Sequence, residues 1–108
     1  LNDRARSYLH TNCSQCHRPT GPTPTDLDFR AATLLENTNA CDVIPNAGDV
    51  GITDPLIIAP GEPARSVLLA RTDRRDADGM PPLGSNLIDS DGVAMLDAWI
   101  TGLDPSCQ

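Results

Sequence analysis

Two cysteines and a histidine stand close together near the N-terminus, in the order Cys13-Ser14-Gln15-Cys16-His17. This is the C-x-x-C-H pattern of a c-type haem attachment site, where each thiol bonds the porphyrin and the histidine lies beneath the iron. A porphyrin tethered in this way has to be enclosed by the chain, so the pattern constrains the fold as well as the chemistry. Because haem iron gains and loses one electron, the motif predicts an electron carrier that binds haem through Cys13, Cys16 and His17.

A second iron ligand is expected at Met80, which is followed by Pro81 and Pro82. Proline on its C-terminal side fixes the backbone and presents the thioether in one direction, and a thioether is a soft ligand that favours Fe(II). Met95 lies at helical spacing in the last predicted helix, so we expect it to fill the core. His10 lies on the first predicted helix, from which the opposite haem face is out of reach, so we expect a partly exposed histidine there.

The segment after His17, residues 18–25, contains three prolines and a glycine and is predicted to be a stiff loop. We expect the free ring nitrogen of His17 to donate to a backbone carbonyl of this loop, with Pro19 and Pro22 as candidates. Arg74 or Arg75 is expected either to pair with a haem propionate or only to offset the neighbouring acids.

Cys41 and Cys107 remain once Cys13 and Cys16 are assigned to haem. They are not in metal-ligand spacing. Haem attachment to C-x-x-C-H requires an oxidising, export-side compartment in most organisms, so we expect an exported protein, in which two spare cysteines most simply form a disulfide. A bridge across their separation of 66 residues would stabilise the fold by about 4 kcal/mol in the chain-entropy model. The alternative is two buried free thiols.

The net charge is −7, and all eight basic residues are arginine. The imbalance is local, because residues 41–108 hold four arginines against eleven acids. An acidic surface disfavours binding to nucleic acid and to anionic membranes. It suits a partner with a basic docking patch or serves solubility alone. No stretch approaches the roughly 18 apolar residues of a membrane span.

The length of 108 residues indicates one domain, residues 1–108. A first helix is predicted from a cap at Asn2 or Asp3 into Cys13, and residues 26–40 are predicted to hold a short helix or turn. Residues 41–58 are expected to form a small β-hairpin or a long loop. A further helix is predicted from Pro63 to about Thr72, and a last helix is predicted between an Asp89 cap and Gly102.

A short helix into Cys13–His17, a later Met80 followed by proline, and a terminal helix carrying Trp99 occur in this order. In these features the chain resembles the class I c-type cytochromes. The resemblance implies an all-α cytochrome c fold with three to five short helices around one covalently bound haem, and crossed first and last helices. Axial ligation by His17 and Met80 is implied as well. At the crossing, Ala5 and Leu9 would meet a set from the last helix, namely Leu96, Trp99 and Ile100.

A narrower likeness rests on three further stretches, which are Pro60-Gly61-Glu62-Pro63, Met80-Pro81-Pro82-Leu83-Gly84 and Asp97-Ala98-Trp99-Ile100. They are similar to bacterial cytochrome c modules fused to exported dehydrogenases or polysaccharide-degrading proteins. The likeness implies a non-enzymatic carrier in the periplasm or outside the cell, serving a sugar dehydrogenase or a copper polysaccharide monooxygenase. We therefore expect a mature portion, or one domain, of a modular exported protein.

Two other functions fit parts of the pattern. A haem enzyme, or a sensor of gas or peroxide, would have a sixth iron ligand that a substrate can displace. Without haem, Cys13 and Cys16 would form a redox dithiol, but that motif belongs beside a βαβ unit and none is visible. A zinc site lacks a second close cysteine pair.

Overall fold

The computed structural model describes residues 1–23, 25–74, 76, 78–80 and 88–108. Over these residues the regular structure is helical: α1 spans Asn2–Cys13, α2 spans Val67–Thr72 and α3 spans Ser90–Thr101. Two 3₁₀ turns, at Leu35–Asn37 and Pro63–Arg65, complete it. The radius of gyration is 12.5 Å, the size of a compact chain of this length. The predicted all-α class is confirmed at this level.

The two longest helices begin and end close to their predicted limits. α1 runs into Cys13 as predicted, but Leu1 rather than Asn2 or Asp3 occupies the cap position, and no side chain caps the helix. α3 begins as predicted, because the Asp89 carboxylate accepts a hydrogen bond from the Gly92 amide at 3.0 Å.

The packing of α1 against α3 forms the centre of the core. The expected set of Ala5, Leu9, Leu96, Trp99 and Ile100 is buried in one cluster, and Met95 packs against its edge as core filler. Burying each of the larger apolar side chains contributes about 1.5–3 kcal/mol.

Gly92 leaves room for the Tyr8 side chain between the two helices. A Cβ at Gly92 would lie 2.6 Å from the Tyr8 ring and from the Asp89 carboxylate, so a larger residue there would displace the Tyr8 ring, whose hydroxyl donates to Asp89 at 3.1 Å. The indole Nε1 of Trp99 donates to the side-chain oxygen of Asn2 at 3.1 Å, which joins α3 to the start of α1.

The single helix predicted from Pro63 to Thr72 is interrupted at Ser66. Ser66 has an extended backbone (φ −92°, ψ 109°), and its buried hydroxyl accepts from the Ala59 amide at 2.9 Å and donates to the Glu62 carbonyl at 3.1 Å. The Ser66 backbone also forms an isolated parallel bridge with Leu56. These contacts replace helical hydrogen bonds and divide the segment into a 3₁₀ turn and α2.

The region before α2 takes the less regular of the predicted alternatives. Residues 26–40 contain the 3₁₀ turn Leu35–Asn37 rather than a longer helix, and residues 41–58 form a long loop rather than a hairpin. Cys41 instead forms an isolated parallel bridge with Ile58. Pro45 and Pro55, together with left-handed conformations at Asp42, Val50 and Asp54, prevent a continuous strand.

Cys41 and Cys107 form a disulfide with a Cα–Cα distance of 6.1 Å, so that prediction is confirmed. The bridge fixes the chain end after α3 to the loop that precedes α2. Cys13 and Cys16 are free thiols. Across the described residues, no helix has the length and apolar character needed to cross a bilayer.

Candidate cofactor site

A cavity of about 340 Å³ brings together the four residues singled out as haem-binding, Cys13, Cys16, His17 and Met80. The cavity lies beyond the C-terminal end of α1 and beside α2. Most of its remaining wall is apolar, from Leu27, Phe29, Val43, Ile44, Ile57, Val67 and Leu68. Neither Met95 nor His10 lies among the described lining residues. His10 is exposed, as expected, and its Nδ1 accepts a hydrogen bond from the Ala31 amide at 3.0 Å.

The end of α1 turns the two thiols and the imidazole toward the cavity. Cys13 is the last residue of α1, and its carbonyl accepts from the amides of Cys16 at 3.2 Å and His17 at 2.8 Å. The His17 carbonyl accepts from the Phe29 amide at 2.8 Å, and the two rings meet edge to face with centroids 5.7 Å apart. A main-chain hydrogen bond and a ring contact with Phe29 therefore fix the position of His17.

A chain of hydroxyl groups leads from His17 to the Cys16 carbonyl. Because that carbonyl can only accept, one arrangement alone makes all three contacts hydrogen bonds: Thr23 donates to the carbonyl at 3.3 Å, Thr25 donates to Thr23 at 3.2 Å, and His17 Nδ1 donates to Thr25 at 3.1 Å. With that assignment Nδ1 carries the hydrogen, and Nε2 keeps its lone pair for a ligand.

This arrangement corrects the expected partner of His17. The acceptor is the Thr25 side chain, and neither Pro19 nor Pro22 supplies it. The loop turns back early, because the Gly21 amide bonds the Arg18 carbonyl at 2.9 Å, and a Cβ at Gly21 would collide with the Cys16 carbonyl oxygen. In the sequence, Thr23 and Thr25 were available as hydroxyl acceptors two positions apart. Which of them reaches His17 depends on the path of the proline-rich loop, which the sequence does not give.

Burial shifts the titration of two groups at the cavity. It lowers the pKa of His17, which favours the neutral imidazole that metal ligation requires. It also raises the pKa of Cys13 to about 11, with a smaller contribution from the neighbouring Cys16 thiol. Reactive dithiols instead have lowered pKa values, so Cys13 lacks the property expected of a redox dithiol.

Met80 reaches the cavity from the segment that follows α2. Its amide donates to the Arg71 carbonyl at 2.8 Å, which ties that segment to the last turn of α2. Pro81 and Pro82, expected to fix the Met80 backbone, lie outside the described residues.

Arg71 is a cavity-lining residue that the sequence analysis missed. The signal was available, because Val67, Leu68, Arg71 and Thr72 share one face of α2 and all line the cavity. The sequence instead singled out Arg74 and Arg75, either as partners of a propionate or as an offset to the neighbouring acids. Arg74 lies 3.7 Å from the Asp78 carboxylate, as the second alternative expects, and Arg75 lies outside the described residues.

Among the described residues, no three His, Cys, Asp or Glu side chains are grouped as ligands of a single metal ion. Comparisons of this chain with protein-family models, with curated proteins and with solved structures gave no match.

Proposed function

We propose that this protein is a one-electron carrier of the class I c-type cytochrome kind. Cys13 and Cys16 would hold one haem covalently, and His17 and Met80 would be its axial iron ligands. The observation that carries the proposal is the convergence of these four side chains on one largely apolar cavity, although Met80 comes far later in the chain than the other three.

The residues present fit a porphyrin. The cavity volume lies in the range of cofactor pockets, and its walls are largely aliphatic and aromatic. His17 Nδ1 is already occupied by Thr25, which leaves Nε2 for iron. The packing of α1 on α3 next to the cavity also supports the cytochrome c arrangement.

Haem iron with one histidine and one methionine ligand exchanges a single electron, at a potential that the thioether raises. The chain's own residues would then have distinct tasks. The hydrogen bond from His17 to Thr25 would orient the imidazole and strengthen it as a donor. Met80 would close the second axial position against small molecules, and Phe29 and Leu68 would keep water from the buried side of the cavity.

The partners are proposed to be exported redox proteins with a basic docking face. The excess acids of residues 41–108 support opposite-charge steering, which salt should weaken. The Cys41–Cys107 disulfide supports an oxidising compartment such as the periplasm or the cell exterior. The narrower likeness makes a sugar dehydrogenase, or a copper polysaccharide monooxygenase, the first partners to assay by stopped-flow reduction and oxidation.

Substitution of the two methionines tests the ligand assignment. In the haem-loaded protein, Met80→Ala should give a high-spin ferric spectrum and let the reduced form bind carbon monoxide, because the sixth position opens. Met95→Ala is the matched control and should reduce stability by about 1 kcal/mol without changing the spectrum, since Met95 is only partly buried and packs against the core.

The reverse result would mean that ligand and core filler have been exchanged. A parent protein that is itself high-spin and binds carbon monoxide rapidly would instead support a haem enzyme or sensor.

A further inference from the structure

Arg71 joins three segments at the rim of the cavity. Its side chain is only 15% exposed, although it carries a charge. Nη1 donates to the Asp78 carbonyl at 3.1 Å, and Nη2 donates to the Ala47 carbonyl at 3.0 Å. Its own carbonyl accepts from the Met80 amide at 2.8 Å.

Both acceptor segments contribute residues to the lining of the same cavity. Ala47, Arg71 and Met80 all contribute to the lining, and a Cβ added at Gly48 would touch Arg71 Nη2 at 3.5 Å. The guanidinium therefore spans from the loop of residues 43–48 to the segment of residues 78–80. In both contacts a charged donor bonds a main-chain carbonyl. Such hydrogen bonds are stronger than those between two neutral groups.

The Asp78 carboxylate contributes little to this arrangement. It is 56% exposed, lies 3.9 Å from Arg71 and is shared with Arg74 at 3.7 Å. An ion pair of this length with an exposed carboxylate is worth little. Arg71 therefore holds the main chain of the two segments, through the carbonyls of Ala47 and Asp78.

We infer that Arg71 is a positioning residue for Met80: it clamps residues 78–80 to residues 43–48 and so keeps the thioether at the cavity. The inference rests on the proposed function in one respect, namely that Met80 is an iron ligand. The clamp limits the opening motion by which an outside ligand would displace the methionine. Tight retention of Met80 would favour electron transfer over ligand-binding chemistry at the same site.

The test uses the haem-loaded protein and its Arg71→Met variant. Methionine resembles the unbranched aliphatic stem of arginine but lacks the guanidinium. Imidazole should bind the ferric variant about tenfold faster or more, the factor expected when one or two hydrogen bonds are lost. The weak Met-to-Fe(III) absorption band should also fade at lower imidazole concentration. Arg71→Lys should be intermediate, at about threefold, because one ammonium can reach only one of the two carbonyls.

Arg65 supplies a matched control. It also joins a loop through its side chain, donating to the Asp54 carbonyl at 2.9 Å and pairing with Glu62, but it does not line the cavity. Arg65→Met should lower the melting temperature as a structural loss would, yet leave imidazole binding within about twofold of the parent. Asp78→Asn should also leave imidazole binding unchanged.

Equal imidazole rates in the parent and in Arg71→Met would overturn the inference, as would equal acceleration by Arg65→Met. If Arg71→Met yields no folded protein, Arg71→Lys decides, and a parental rate in that variant counts against the clamp. Hydrogen exchange over residues 45–48 and 78–80 is a second readout, and it should accelerate in both segments when Arg71 is changed. A parent without the Met-to-Fe(III) band would contradict the ligand assignment, whereas unchanged exchange would contradict the clamp.

Discussion

At the scale of single residues, the state of the His17 imidazole has two separate causes. Burial lowers its pKa, which keeps the ring neutral. The run of hydroxyl groups through Thr25 and Thr23 to the Cys16 carbonyl places the remaining hydrogen on Nδ1. A neutral ring with a free Nε2 is the form that binds a metal. Because the acceptor is a side chain rather than a backbone carbonyl, a substitution can remove it.

Thr25→Val tests this acceptor. In the haem-loaded protein the midpoint potential should rise by about 20–60 mV, because His17 becomes a weaker donor to Fe(III) when its Nδ1–H loses a hydrogen bond worth about 0.5–1.5 kcal/mol. Thr25→Ser keeps the hydroxyl and is the matched control. Protein-film voltammetry of the three proteins measures the shift. A Ser variant that shifts as far as the Val variant would show that the hydroxyl is not responsible.

At the scale of elements, residues 25–33 form neither helix nor strand, yet they place Phe29 against His17. The segment is held by a polar cluster around Asp28, whose side chain is 10% exposed. The carboxylate accepts from Arg30 Nε at 2.9 Å and Nη2 at 2.8 Å, and from the Thr33 hydroxyl at 2.8 Å. Arg6 of α1, itself buried, donates to the Arg30 carbonyl at 3.0 Å. The cluster therefore joins this loop to α1.

Asp28→Asn should destabilise the protein in a pH-dependent way. The hydrogen bond from Arg30, helped by the Thr33 hydroxyl, holds the pKa of Asp28 well below its usual range. The stabilisation is therefore complete above about pH 5, one unit above the unfolded-state pKa of about 3.9, and is lost progressively as the pH falls from there towards the folded-state value.

Urea unfolding measures this dependence. At pH 7 the variant should lose about 2 kcal/mol, and the difference from the parent should shrink by pH 3. Asp54→Asn, at an exposed position, should change stability by less than about 0.5 kcal/mol at either pH. A parent–variant difference that stays constant with pH would contradict the role assigned to the carboxylate.

At the scale of the whole molecule, features that depend on local sequence patterns were predicted better than features that depend on long-range contacts. The end of α1 at Cys13, the Asp89 cap and the apolar stripe of α3 depend on residues within a turn or two, so their spacing revealed them. Ser66 shows the limit: its helix-compatible neighbours predicted one helix, but hydrogen bonds of its buried hydroxyl to Ala59 and Glu62, and a bridge to Leu56, divide the segment.

The side-chain contacts that hold the loops in place were harder to foresee for the same reason. Arg71 donates a hydrogen bond to the Ala47 carbonyl, 24 residues earlier, and Arg6 donates one to the Arg30 carbonyl, 24 residues later. No periodicity encodes such pairs, because they depend on how irregular loops close. The cysteine pair was the exception, because it was the only pair left after the C-x-x-C-H motif was assigned.

Removal of the disulfide tests how the whole fold is stabilised. The Cys41→Ser/Cys107→Ser variant should lose about 2–5 kcal/mol of unfolding free energy, because a closure of 66 residues no longer restricts the unfolded chain. The visible spectrum of the haem-loaded protein should stay nearly unchanged, since neither cysteine lines the cavity. Urea unfolding and absorption spectra of the same samples measure both effects. A spectrum that changes with the bridge would mean that the disulfide helps to shape the cavity.

The most direct measurement is the intact mass of the protein purified from a host competent for cytochrome maturation. We predict the mass of the polypeptide plus one haem, with a red colour that survives acid–acetone extraction because Cys13 and Cys16 both hold the porphyrin. A colourless protein with the mass of the bare 11.5 kDa chain would contradict the account.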